Sequence, residues 1–175
     1  MILERVLLMT IASAPLPTQD WVDLGRYARH WYEIARLPNS FQDQCAGDVA
    51  ATYTLRPDGR VNVVNECRRK DGQTTRAEGV ARRADEQGPA SRLKVRFAPA
   101  VLSFLPFAWG DYWILELDRD YRYALVGDPA RRYLWILGRS PEMDAATYGW
   151  WPPRAGWAST RRGSCARRSP RVEGW

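Results

Sequence analysis

The chain has 175 residues and a formal charge of +6, from 26 Lys and Arg against 20 Asp and Glu. That length fits one domain able to bury about 70% of the surface its unfolded chain exposes, so a stable core needs no metal. A single histidine, His30, all but excludes a His-based metal centre or catalytic triad, and the basic excess sits mostly in residues 149–175, which hold six Arg and one Glu and leave the rest nearly neutral, a poor distribution for a specific nucleic-acid binder.

The N-terminus has some features of an exported chain. Arg5 precedes an apolar run from Val6 to Ala12, and Ala12-Ser13-Ala14 has the small-x-small form of a cleavage site. Residues 1–20 are therefore expected to be a signal-like, flexible segment, with a buried N-terminal segment as the competing reading. The apolar run is too short to span a bilayer.

Residues 21–148 carry strand signals with turn punctuation at short intervals, as in a sandwich or barrel. A short helical turn opens this region. Trp31–Leu37 is the first predicted strand and Asp48–Leu55 the second. Arg56-Pro57-Asp58-Gly59 is a hairpin turn, in which Pro presets one φ and Gly accepts a positive one. Val61–Cys67 returns, and Lys70-Asp71-Gly72 turns again. Thr74–Arg83 is a long polar strand, with Gly79 a predicted bend or bulge. Leu93, Val95 and Phe97 alternate with Lys94 and Arg96, the pattern of a half-buried strand. Asp111–Leu117, Tyr121–Gly127 and Arg132–Gly138 complete eight. Short links make neighbours antiparallel, and eight such strands can close around one small ligand. The expected fold is all-β: an eight-stranded antiparallel up-and-down β-barrel. Pro141–Tyr148 starts like a helix, but Gly149-Trp150-Trp151-Pro152-Pro153 cuts it short. The C-terminal helix is thus truncated. Residues 149–175, rich in Arg, Trp, Gly and Ser, have the composition of misread GC-rich triplets and are expected to be disordered.

Side-chain alternation proposes an inner wall. Val49, Ala51, Tyr53 and Leu55 share one face of the second strand, and Val61, Val63, Asn65 and Cys67 share one face of the third. Val95 and Phe97 follow. Between Asp111 and Leu117 parity leaves two sets open, Tyr112 with Ile114 or Trp113 with Leu115 and Leu117; Tyr112 is assigned inward. The competing reading of all these side chains is a filled core with no cavity. Cys45 and Cys67 flank two neighbouring strands. They are either a disulfide, worth roughly 3 kcal/mol by chain entropy and implying an oxidising compartment, or two buried free thiols. Cys165 lies in the tail. The segment from Phe97 to Tyr112 is apolar for a surface loop and marks a partner, a membrane surface or a pocket mouth, or else folds over the rim.

Several motifs stand in order along the chain: Trp31-Tyr32-Glu33-Ile34-Ala35-Arg36, Pro38-Asn39 with Phe41-Gln42, Asp58-Gly59, Asp118-x-Asp120-Tyr121, Tyr123-Ala124-Leu125-Val126-Gly127, Tyr133-Leu134-Trp135-Ile136-Leu137 and Arg139. Together they resemble the signature blocks of the lipocalins, most closely the bacterial, outer-membrane lipoprotein-like branch, over about Trp21 to Tyr148. The resemblance implies that Trp31 plugs the closed end of the barrel and that Arg139 lies across its indole, a cation–π contact worth about 0.5–2 kcal/mol. It also implies Tyr133 and Trp135 inward. Where the family has Gly two residues before that Trp, this chain has Arg29.

The implied function is a non-enzymatic carrier or store of a small hydrophobic molecule, a fatty acid or a lysophospholipid, in the bacterial envelope. The ligand-binding residues would be Ala51, Tyr53, Val63, Asn65, Val95, Phe97, Tyr112, Tyr133 and Trp135. No cofactor, catalytic residue, metal or specific nucleic acid is expected. The chain would be a monomer or weak homodimer, periplasmic or associated with the outer membrane, with the Phe97–Tyr112 loop touching a membrane surface. No Cys follows the N-terminal apolar run to take the lipid anchor found on many bacterial relatives. Two other readings are an enzyme using a lumenal thiol or an acid such as Glu33 or Glu116, and an Arg-rich binder of anionic surfaces.

Overall fold

Eight strands hydrogen-bond in chain order and close on themselves. They are β1 (Arg29–Arg36), β2 (Cys45–Leu55), β3 (Val61–Arg69), β4 (Thr74–Arg83), β5 (Arg92–Arg96), β6 (Gly110–Leu117), β7 (Tyr123–Gly127) and β8 (Leu134–Gly138). Every neighbouring pair is antiparallel, and β8 returns to β1 through Arg36 opposite Trp135 and Tyr32 opposite Gly138. Among the described residues, closure gives every strand a hydrogen-bonded neighbour on both sides. The architecture is a computed structural model that describes residues 16–97, 99, 104–105, 108–145 and 147. The predicted export signal and the Arg- and Trp-rich tail lie outside the described residues, as do positions 146 and 148 of the predicted C-terminal helix.

The turn chemistry acts as its residues dictate. Gly59 takes φ +78 and Gly72 takes φ +84, and each amide donates back across its turn, to Arg56 and Arg69 respectively. Gly79 works differently from the predicted bulge. The β3–β4 register runs through it unbroken, with Gly79 opposite Val63. A Cβ there would meet the Arg96 carbonyl at 2.6 Å and the Phe97 ring at 2.8 Å. The missing side chain makes room for a phenyl ring laid over the strand.

Four register shifts, in three strand pairs, re-aim side chains, because an extra residue turns the remainder of the strand over. The shift between Ile114 and Glu116 sends Leu117 to the interior cluster and leaves Glu116 exposed outside. Strict alternation put those two residues the other way round. A shift between Glu33 and Ala35 places Ile34 and Ala35 together on the outer wall. Shifts along Cys45–Ala50 bring Val49 and Ala50 both to the lumen.

Apolar residues sort into two groups. One fills the closed end and lower lumen around Trp31, Tyr27, Tyr53, Ile114 and Val126. The other lies on the outer wall and joins Ile34, Leu115, Leu125 and Ile136 to Leu16, with Met143 packed against it. Leu16, assigned with the N-terminal segment by sequence, is thus buried against the barrel. Behind it the Gln19 amide donates to the Ile114 carbonyl at 2.9 Å.

Candidate ligand-binding cavity

The closed end is built first, from the segment before β1. Asp23 caps the single turn α1 (Leu24–Tyr27), its carboxylate accepting from the amides of Gly25 and Arg26. The turn lays Tyr27 beneath the barrel, and the Trp31 indole nitrogen donates to the Tyr27 carbonyl at 2.8 Å. Trp31 is fully buried. The Arg139 guanidinium sits 3.8 Å from the indole centroid. Its N–H groups donate to the carbonyl oxygens of Arg26, Tyr27, Ala28, His30 and Tyr121. One cation therefore satisfies the end of α1, the start of β1 and the turn before β7 at once.

Arg29 stands in this corner with φ +94, a region that L residues other than Gly occupy only at a cost of about 1–3 kcal/mol. It is exposed, and its charge disfavours the neighbouring Arg139 cation. Arg29→Gly is therefore expected to raise stability by about 1 kcal/mol, after the entropy that glycine adds to the unfolded chain. An unchanged or lower denaturation midpoint would remove strain from this corner.

Above the plug the strands enclose a cavity of about 530 Å³, within the usual range of small-molecule sites. It is hollow, so the filled-core alternative is set aside. The sequence-assigned residues Ala51, Tyr53, Val63, Asn65, Val95, Phe97, Tyr112, Tyr133 and Trp135 all line it. Leu55, given to the same face as Tyr53, does not: it lies at the end of β2, exposed. Tyr133 sits just before β8 rather than within it. Alternation did not yield Leu24 and Tyr27, which enter from α1, or Gln42 from the first loop. Thr75, Ala77 and Ala81 were legible in principle, because Thr75-Arg76-Ala77-Glu78 alternates cleanly along β4.

The walls are apolar and polar groups gather at the two ends. At the mouth, Gln42 ties three elements together. Its amide nitrogen donates to Glu33 at 2.7 Å, and its oxygen accepts from Asn39 at 2.7 Å and from the Trp135 indole at 3.1 Å. Phe41, 53% exposed, leans on Tyr133 and Trp135 with centroids 5.3 and 6.1 Å apart. At the floor, the Tyr112 hydroxyl is 2.7 Å from that of Tyr27 and 3.0 Å from that of Tyr53.

A barrel of eight strands in this order, plugged by a Trp under an Arg and hollow above, meets a matching family model, a lipocalin-like domain, over residues 22–152. The chain is a lipocalin. It is 41% identical over 142 residues to Outer membrane lipoprotein Blc of Escherichia coli (strain K12), which covers 78% of this chain and 75% of that one. Temperature-induced lipocalin-1 of Arabidopsis thaliana is 44% identical over 128 residues, 73% of this chain and 68% of the relative. Apolipoprotein D of Rattus norvegicus is 35% identical over 138 residues, 75% and 68% of the two chains. Among solved structures the cockroach allergen Per a 4 has a TM-score of 0.57 at 19% identity, covering 79% of this chain and 82% of that one. Insecticyanin from the tobacco hornworm Manduca sexta has a TM-score of 0.57 at 20% identity, covering 78% and 72%. At those identities the structural likeness carries the fold alone. Lipocalins bind small hydrophobic ligands, and the relatives are mostly binding proteins rather than enzymes.

Of the candidate catalytic groups, the two thiols and Glu33 are engaged. Cys45 and Cys67 are joined by a disulfide with Cα atoms 5.6 Å apart, so neither is a thiolate, and the free-thiol alternative falls. The bond clips β2 to β3 beside the cavity. Glu33 lines the lumen but is paired with Arg36 and accepts from Gln42. Glu116 faces outward. Among the described residues no cluster of His, Cys, Asp or Glu could hold a metal ion.

The loop from Phe97 to Tyr112 divides. Phe104 is 75% exposed. Trp109 packs back, 4.6 Å from the Arg82 guanidinium and 5.2 Å from that of Arg96. Val101, Leu102 and Phe107 lie outside the described residues.

Burial raises all three floor phenols, Tyr53 from 10.0 to about 12 and Tyr27 and Tyr112 well above their usual value. A phenol that holds its proton more tightly when folded contributes stability that is full below its unfolded value and is lost as pH climbs through the folded one. For Tyr53 the window runs from 10.0 to about 12. Unfolding free energy measured by denaturant is expected to fall across that window. A slope unchanged when Tyr53 is replaced by Phe would contradict the assignment.

Proposed function

We propose that this lipocalin is a non-enzymatic carrier or store of a fatty acid or lysophospholipid, working in the bacterial envelope. The observation that carries the reading is the 530 Å³ cavity with apolar walls, plugged at one end and reaching the loops at the other. Each buried methylene adds about 0.8 kcal/mol. Ten would supply a gross ~8 kcal/mol, and ordering costs leave micromolar affinity within reach. Among the described residues no Lys or Arg lines the cavity, and the acids that do, Glu33, Glu66 and Asp111, are each paired with a cation, Arg36, Arg76 and Lys94. An anionic head group would find no counter-charge in the lumen and belongs at the mouth, with the hydrocarbon end inward.

The envelope setting is supported by the similarity to outer membrane lipoproteins. Ligand exchange at a membrane surface fits Phe41, Phe97 and Phe104, the exposed large hydrophobics in the loops at the mouth and where β5 runs into them. No described helix is long and apolar enough to cross a membrane.

The test is native purification followed by mass spectrometry of what is extracted. Stoichiometric acyl lipid is expected, and delipidated protein is expected to take up added fatty acid. Protein that carries no lipid and binds none when offered would overturn the reading. Fractionation of the source cell tests the location separately.

A further inference from the structure

The cavity floor holds three phenol hydroxyls within one hydrogen-bonded chain, Tyr27 to Tyr112 to Tyr53. Each hydroxyl brings one proton, and each of the two contacts consumes one. One O–H proton is left over whichever way the two bonds run. All three side chains line the cavity, so the spare donor has the lumen as its outlet. A buried donor without an acceptor costs about 1–3 kcal/mol. A hydrocarbon tip pressed against the floor would strip any water from it and supply no acceptor.

The acceptor that fits is neutral. No Lys or Arg lines the cavity among the described residues, and the charged groups that do are Glu33, Glu66 and Asp111. Arg139, whose charge acts on Tyr27, lies against Trp31 and has its N–H groups committed to backbone carbonyls. A carboxylate driven to the floor would have one donor and no cation lining the cavity to pair with, which does not offset its loss of water. Burial keeps the three phenols protonated through the neutral range, so the floor is a donor rather than an anion.

We infer that the floor is a specificity subsite: it donates a hydrogen bond to a neutral oxygen, a hydroxyl or carbonyl, at the inner end of a chain-like ligand. The ligand class it selects is an acyl or alkyl chain oxygenated at the end remote from its head group. The inference rests on the carrier reading and narrows it.

The test compares a plain fatty acid with the ω-hydroxy acid of the same length, each displacing anilinonaphthalene sulfonate from the delipidated protein. Binding is measured in the wild type and in Tyr27→Phe/Tyr53→Phe/Tyr112→Phe, which keeps every ring and removes every floor hydroxyl. The affinity ratio of ω-hydroxy to plain acid is expected to fall about tenfold in the triple variant, whatever the change in plain-acid affinity itself. Circular dichroism and thermal melting show whether the variant is folded. If the triple variant does not fold, the wild type decides alone. The ω-hydroxy acid is expected to bind several-fold tighter than a mid-chain hydroxy isomer, whose hydroxyl loses the same hydration. A ratio unmoved by the triple substitution, or isomers bound equally by the wild type, overturns the subsite and leaves the carrier reading intact. If neither acid displaces the probe, the carrier reading fails, and the subsite with it.

Discussion

Ala77→Trp is expected to abolish acyl-chain binding while leaving the barrel folded. Ala77 sits on β4 opposite Asn65 and lines the cavity. Its Cβ points into hollow space and is not itself buried, so an indole there fills void instead of displacing packed neighbours. That spares the variant the overpacking cost of about 1–3 kcal/mol that a filled core would impose. The indole competes directly with the guest. Displacing four or five methylenes forfeits about 3–4 kcal/mol, or over a hundredfold in affinity. Fluorescent-probe displacement reads the affinity, and thermal melting reads the fold. Full lipid binding by a normally melting variant would mean that the guest lies elsewhere. The more conservative Ala77→Val is expected to shift the preferred chain length with a smaller loss, because it narrows the lumen without blocking it.

Trp31→Ala is expected to remove about 3–5 kcal/mol of stability. Domains of this kind have about 5–15 kcal/mol in total, so the variant would be close to unfolded at moderate temperature. The cause is specific. Trp31 is fully buried, its ring lies 5.1 Å from that of Tyr27, and its indole nitrogen satisfies the Tyr27 carbonyl. Removing the ring also takes away the face on which the Arg139 guanidinium rests. Arg139→Met separates the contributions: it keeps a comparable stem but leaves five carbonyl oxygens without their shared donor. The two losses are expected not to add in the double variant, since the residues act as one unit. Denaturant unfolding of the two singles and the double gives the cycle. A loss below about 1 kcal/mol for Trp31→Ala would show that the plug is not what closes this end.

The two sets of predictions separate scaffold from guest. The plug variants change stability, with ligand affinity following only as the floor is disturbed through Tyr27. The lumen variant changes affinity at constant stability. Arg29→Gly moves stability the other way, because it relieves a backbone conformation rather than deleting a contact.

Much of this architecture was legible because it is encoded locally. Turn residues such as Pro57-Asp58-Gly59 and the period-two pattern of β3 and β5 act within a few positions. They specified the number and order of strands and most of the inner wall. The resemblance to lipocalins supplied the Trp31–Arg139 pairing, which no local pattern contains, and the odd residue Arg29 marked a backbone that turned out to need a positive φ. What escaped depends on distant parts meeting. Glu116 and Leu117 exchanged faces because of a register shift against β7, and alternation within one strand carries no sign of its partner. Tyr27 meets Tyr112 from 85 residues away, and Gln42 meets Trp135 from 93. Whether Cys45 reached Cys67, and whether the lumen was hollow or filled, turned on where closure of the ring brought the strands and on the volume left over. Those are properties of the assembled barrel, since register is summed round all eight strands before any inward side chain has a neighbour across the interior.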